Sequence, residues 1–258
     1  MAELPSGAVT FLFTDLEGST DLSRELGERF SEVMHRQRIL LSGLVEGAGG
    51  VVYGFFGDAT SAVFETVAGA VAAATASQHA FAGMPWPDGA DVRVRIGIHS
   101  GEAAAVEGEY LGLDVHRTAR ICAAAHGGQV LLSEAAHGAL DGLPPGAAVR
   151  DLGTFELKGL SEPDRLFQLL IAGLHNDFPS LRVGTEGPTA RPSAQQWRAV
   201  GRSLQEAVKT LRRRRHASTF DSDVVEPSEA VFGISAREFA WGRSKSVAPW
   251  TRGPRKHR

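Results

Sequence analysis

One cysteine, two tyrosines and three methionines are all that 258 residues contain of those types. A lone thiol, Cys122, rules out a disulfide scaffold and a cysteine-based zinc site, and makes a reducing compartment the expectation. Cys122 itself reads as a small buried hydrophobe on a helix. No apolar run approaches the ~18 residues of a membrane span, and the alanine-rich stretch from Val67 to Ala76 has small side chains and polar flanks. Met1-Ala2-Glu3-Leu4-Pro5 has neither the basic nor the apolar region of a signal peptide. A cytoplasmic protein with no membrane partner is therefore expected. The histidines lack metal-ligand spacing, and no Ser-His-Asp or Cys-His arrangement offers a protein nucleophile. There is no internal repeat.

Hydrophobic residues make up 43% of the chain, ample for a core, and the formal net charge is -3. That small value conceals an asymmetry. Residues 1–174 carry 11 Lys and Arg against 22 Asp and Glu, whereas residues 175–258 carry 16 against 8. An acidic body argues against nucleic-acid binding by the main domain and leaves that role only to the basic tail. Two regions are expected: a folded body over 1–174 and a basic, low-complexity, mostly disordered extension over 175–258. Within the extension Trp197, Val200, Leu204, Val208 and Leu211 mark one face of a helix at about 194–216, ending in Arg212 to Arg215. No helix-turn-helix pattern accompanies it.

In the body, Val9 to Thr14 reads as a strand, followed by a long helix capped by Ser19 or Thr20 and ended by Gly47, Gly49 and Gly50. Val51–Phe56 and Thr60–Phe64 form a hairpin about Gly57-Asp58-Ala59. A helix from Val67 to Met84, a strand from Val92 to His99 and a helix from Tyr110 to Ala125 follow. Then come a strand over 129–132, a short helix capped by Ser133, and a final strand pair on either side of Lys158-Gly159-Leu160. The expected order is β-α-β-β-α-β-α-β-α-β-β, a mixed α/β sandwich.

Two carboxylates stand out. Asp15 ends an apolar strand and leads through Leu16-Glu17-Gly18-Ser19-Thr20 into a helix. Asp58 sits at a hairpin tip. A strand-end carboxylate beside a helix start brings together a hard oxygen ligand, backbone carbonyls and unpaired N–H groups. A second such acid nearby would make a pocket for two divalent ions and a polyphosphate. Read alone, either residue also suits ordinary capping or turn chemistry, and His99 reads as a satisfied core histidine.

Five phrases occur in one order: Phe11-Leu12-Phe13-Thr14-Asp15-Leu16-Glu17-Gly18-Ser19-Thr20, Gly57-Asp58, Arg95-Ile96-Gly97-Ile98-His99-Ser100-Gly101, Gly112 through Arg120, and Leu157-Lys158-Gly159-Leu160. Together they resemble the class III adenylate/guanylate cyclase catalytic domain in its bacterial form, from about Val9 to about Leu170. The resemblance implies a ferredoxin-like core and a head-to-tail homodimer with both active sites in the interface. It implies two divalent metal ions, Mg²⁺ or Mn²⁺, held by Asp15, Asp58 and the Leu16 carbonyl. It implies Arg120 as the transition-state arginine and Lys158 as the triphosphate contact, with ATP or GTP converted to a 3′,5′-cyclic nucleotide and pyrophosphate.

The departures from the pattern concern the base and the ribose. Gly54 stands where the family has its purine-reading lysine, Glu109 where it has that lysine's Asp or Thr partner, His116 where it has an asparagine, and Ala59 where a glycine follows Gly-Asp. The metal half is retained and the base-reading pair is not, so weak or relaxed base selectivity is expected. The alternatives are a catalytically degraded nucleotide-binding or regulatory module of the same fold, and a DNA-binding regulator acting through the tail.

Overall fold

The computed structural model describes residues 4–106 and 108–183. The expected tail helix at about 194–216 lies outside the described residues. β1 (Gly7–Leu16) is built from the Val-Thr-Phe-Leu-Phe-Thr run and leads into α1 (Ser19–Leu26). α2 (Phe30–Gly47), the hairpin β2 (Val51–Phe56) and β3 (Ala59–Phe64), and α3 (Val67–Gly83) come next. β4 (Val94–Ala103) is followed by a two-residue hairpin, β5 (Ala105–Val106) and β6 (Glu109–Tyr110). α4 (Leu113–Ala124), β7 (Val130–Ser133), α5 (Glu134–Gly138), β8 (Ala147–Phe155) and β9 (Asp164–Ile171) complete the body.

The long strands form one seven-stranded sheet in the order β2-β3-β1-β4-β7-β9-β8. All neighbouring pairs are antiparallel except β4 with β7. The first four strands with α2 and α3 make the expected ferredoxin-like unit, β-α-β-β-α-β.

Side chains alternate across β1 because strand geometry points successive residues to opposite faces. Leu12 and Leu16 enter the core beneath α2 and α3, where Val33, Leu41, Ala70 and Ala74 have no solvent exposure. Val9, Phe11 and Phe13 point the other way, to a cluster with Tyr53, Tyr110 and Val115 of α4. Both tyrosines of the chain meet here, ring centroids 5.1 Å apart at 74°, an edge-to-face arrangement that suits the ring quadrupoles. Asp15 shares this second face by strand parity, which decides where the site lies.

Three local expectations change. Neither Ser19 nor Thr20 caps α1. Gly18 does so through its backbone, at φ 64 with no side-chain cap bond; a left-handed turn straight off a strand suits a residue without Cβ. The single long helix is two helices, because Gly27 adopts φ 53 and a 3₁₀ turn over Gly27–Arg29 separates them. The helix predicted from Tyr110 starts at Leu113, since Glu109 and Tyr110 pair with Val106 and Ala105. Ser133 caps α5 as expected, accepting the Ala136 N–H at 3.1 Å.

Beyond β9 the described residues up to Val183 stay on the body. The Asn176 side chain accepts the Ile171 N–H at 2.9 Å and donates to the Ile171 carbonyl at 2.9 Å. Leu181 and Val183 pack against the cluster containing Ile121 and Leu131.

Candidate active site

Strand register assembles the acidic pair. β1 pairs with β3 at Thr14 and Thr60, the last step before Asp15, and the β2–β3 turn carries Asp58 just beyond. From α2, Gln37 donates to the Asp58 carbonyl at 2.5 Å and Arg38 to the Gly57 carbonyl at 3.0 Å, so a helix holds the turn in place. Asp58 comes near enough to bear on the Asp15 carboxyl. Burial pushes the Asp15 carboxyl above its usual value, the Arg95 charge pulls it down, and Asp58 raises it again by charge and by a shared hydrogen bond. A carboxyl whose ionisation is opposed by a neighbouring acid sits at a place that favours a cation.

Arg95 already supplies one. It is the direct cross-strand partner of Asp15 on β4. Its Nε donates to Asp15 Oδ2 at 2.9 Å, a second guanidinium nitrogen bonds the same oxygen, and Nη1 reaches the Ala123 carbonyl of α4 at 3.2 Å. The side chains are 13% and 27% exposed, so the pair is poorly screened by water and stronger than a surface ion pair. Among the described residues no group of three or more His, Cys, Asp or Glu converges. A metal here would thus be held by two carboxylates, backbone oxygen and its ligand. Leu16, whose carbonyl is the expected backbone ligand, buries its side chain in the opposite core.

The other predicted residues stand apart from this pair. Arg120 and His116 lie on α4, half-buried and exposed respectively. Lys158 is exposed in the β8–β9 loop, and Glu109 is exposed on β6. None of the four makes a hydrogen bond or ion pair with Asp15 or Asp58 within the chain. Gly54 lies at a bulge in β2, and a Cβ built there would come within 2.6 Å of the Phe56 ring. Phe56 thus occupies the space a side chain at position 54 would need.

The adenylate and guanylate cyclase catalytic domain family matches residues 1–171. The chain belongs to this family. An uncharacterized protein of Mycobacterium tuberculosis is 35% identical over 204 residues, covering 78% of this chain and 69% of that one. A receptor-type adenylate cyclase of Trypanosoma brucei brucei is 35% identical over 102 residues, 37% of this chain and 8% of that one. Among solved structures, a Trypanosoma brucei adenylate cyclase in its monomeric state superposes with a TM-score of 0.63 at 24% identity, covering 72% of this chain and 97% of that one. That likeness concerns the fold. No helix of the described residues is long and apolar enough to cross a membrane.

In this cyclase domain several residues that bear on the site have partners that no local pattern gives. Arg95 is one: it lies eighty positions from Asp15. Arg117 is another. Its Nε lies 3.3 Å from Asp164, which ties the base of the Lys158 loop to the helix bearing His116 and Arg120. The sequence shows no Ser-His-Asp spacing, yet the fold assembles one. His99 Nδ1 bonds Ser133 Oγ at 2.8 Å and Nε2 bonds Asp114 Oδ1 at 3.1 Å. It is structural: Ser133 is 1% exposed, and its hydroxyl is committed to capping α5. Gly101 makes room for it, since a Cβ there would meet Asp114 Oδ2 at 2.4 Å. His99 is the satisfied core histidine expected, and Cys122 is buried, with its thiol pushed up by burial.

Proposed function

We propose that this domain is a metal-dependent nucleotidyl cyclase that converts ATP or GTP to a 3′,5′-cyclic nucleotide and pyrophosphate at a homodimer interface, with relaxed base selectivity. The observation that carries the reading is the convergence of Asp15 and Asp58 beside the Gly18 turn that opens α1. Their hard oxygens suit Mg²⁺ or Mn²⁺. Two such ions, when bound, supply a more acidic ribose 3′-hydroxyl and a neutralised triphosphate.

The chain's own residues do the rest. Asp15, Asp58 and the Leu16 carbonyl would hold the ions. The first N–H groups of α1 face phosphate oxygens. Arg120 of the partner subunit reaches the α-phosphoryl group, where its guanidinium fork matches the growing negative charge. Arg120 has no ion pair among the described residues of its own chain, in keeping with a partner elsewhere. Lys158 contacts the triphosphate, and His116 donates to a ribose or phosphate oxygen. Base reading is weak because Gly54 has no side chain and Phe56 fills its place, leaving Glu109 alone.

A second reading, a nucleotide-binding module without turnover, draws on the Arg95–Asp15 ion pair, which engages one of the two acids. Purified protein with Mn²⁺ and either ATP or GTP separates the two. Cyclic nucleotide that forms from both and disappears in Asp15→Ala and Asp58→Ala supports the cyclase. Metal-dependent binding of nucleotide without product supports the module. Strong preference for one base, lost in Glu109→Ala, would refute relaxed selectivity. DNA binding through Arg212 to Arg215 rests on residues outside those described and ranks last.

A further inference from the structure

Glu17 follows the candidate ion ligands Asp15 and Leu16, and by strand parity leaves β1 on the same face as Asp15. It is not left loose there. Its N–H donates to the Arg93 carbonyl at 2.9 Å. Its side chain lies across bare Gly127, where a Cβ would come within 2.5 Å of Glu17 Oε2. Its Oε1 accepts from the guanidinium of Arg182.

Arg182 belongs to the segment 175–183 that runs back over the body after β9. Three of its bonds meet at one node. Besides Glu17, its backbone N–H donates to the Ala124 carbonyl at 3.0 Å, and its Nε donates to His126 Nδ1 at 3.2 Å. His126 Nε2 donates in turn to the Ser180 carbonyl at 3.0 Å, so one neutral tautomer satisfies both contacts.

Arg95 makes a related link. Ala123 and Ala124 end α4, where backbone carbonyls lack helical partners. The Arg95 guanidinium bonds the first carbonyl and Asp15; Arg182 bonds the second through its backbone N–H and Glu17 through its guanidinium. Two arginines thus cross-link the acidic loop to the last turn of α4. Arg120 lies one turn earlier on that helix.

We propose that Arg182 is a positioning residue for the ion-binding loop: it clamps Glu17 to the C-terminal turn of α4 and so fixes Asp15 and Leu16 relative to the helix that carries Arg120. The geometric part stands on the bonds above; its consequence for metal rests on the cyclase reading.

Hydrogen–deuterium exchange of the metal-free full chain tests the clamp itself. Arg182→Ala should speed exchange across residues 15–22 and 123–128, Glu17→Gln should do the same, and Arg182→Lys, which keeps the charge but loses the fork, should give an intermediate result. Faster exchange confined to 175–183, with 15–22 as protected as in the wild type, overturns the proposal. Direct Mn²⁺ titration gives the second readout: Arg182→Ala should raise the half-saturation about tenfold, in the range for residues that orient metal ligands, with Arg182→Lys recovering most of the loss. An unchanged half-saturation overturns the link to the ion site. A loosened loop and weakened Mn²⁺ binding in a protein that never forms cyclic nucleotide would sink the cyclase reading and leave the clamp intact.

Discussion

Asp15 is a half-buried acid balanced between one cation and one like charge. Arg95 offsets it, and Asp58 opposes it. Arg95→Ala would leave two neighbouring carboxylates without their counter-charge, and removal of one partner of such a pair costs on the order of 3 kcal/mol. The expected outcome is a lowered melting temperature that Mn²⁺ restores far more than it raises that of the wild type, measured by thermal unfolding with and without the ion. On the proposed cyclase mechanism, Arg120→Ala should leave folding intact and lower turnover about 10²–10³-fold, because it would remove charge stabilisation needed only in the transition state; steady-state kinetics at saturating Mn²⁺ check this. His99 gives the pH dependence. Burial lowers its pKa, outweighing the raising effects of Asp114 and Asp164, while Arg117 adds to the lowering and Ser133 holds the other ring nitrogen. The folded state therefore binds this proton more weakly than the unfolded state. Its contribution to stability is full above the unfolded value of about 6.5 and is lost as pH falls below it. Melting temperatures between about pH 7.5 and 5.5 should fall in the wild type and vary less in His99→Gln.

At the scale of elements, the site depends on how closely α4 approaches the sheet. Gly97 of β4 sets that distance: a Cβ there would lie 2.4 Å from the Cys122 backbone nitrogen and 2.9 Å from its Cβ. These are backbone and near-backbone atoms that cannot swing aside. Gly97→Ala should push α4 outward and destabilise the fold by about 1–3 kcal/mol, as overpacking does, with loss of turnover beyond what the lowered stability explains. Denaturant unfolding together with kinetics checks both. The elements themselves were largely legible in the sequence, since each long strand and helix carries its own hydrophobic period. What was not legible were the points where glycine conformation or a local strand pairing overrides that period. Gly18 replaces Ser19 as the cap, Gly27 divides the helix predicted as one, and the Glu109–Tyr110 pairing delays the start of α4. Each turns on a backbone choice that a side-chain pattern does not record.

The whole molecule poses the question of two half-sites. In the proposed head-to-tail dimer Asp15 and Asp58 of one protomer would meet Arg120 of the other, and each site would take half from each chain. Asp15→Ala and Arg120→Ala proteins, each inactive alone, should then recover roughly a quarter of wild-type activity when mixed, because a two-fold pairing leaves one mixed site intact and concentrates both defects in the other. No recovery on mixing, with dimerisation verified by light scattering, would place the acids and the arginine in one chain.

Residue order alone determined the long strands and most helices in their order, the family, and Asp15 and Asp58 as the acids worth pairing, because hydrophobic periodicity and short phrases are local properties. Tertiary structure alone decided that Arg95 lies on Asp15, that Phe56 fills the space beside Gly54, that His99, Asp114 and Ser133 meet in the core, and that Arg182 holds Glu17 from 165 positions away. These contacts follow from strand register and from the seat of α4 on the sheet, which are set by the burial of entire faces.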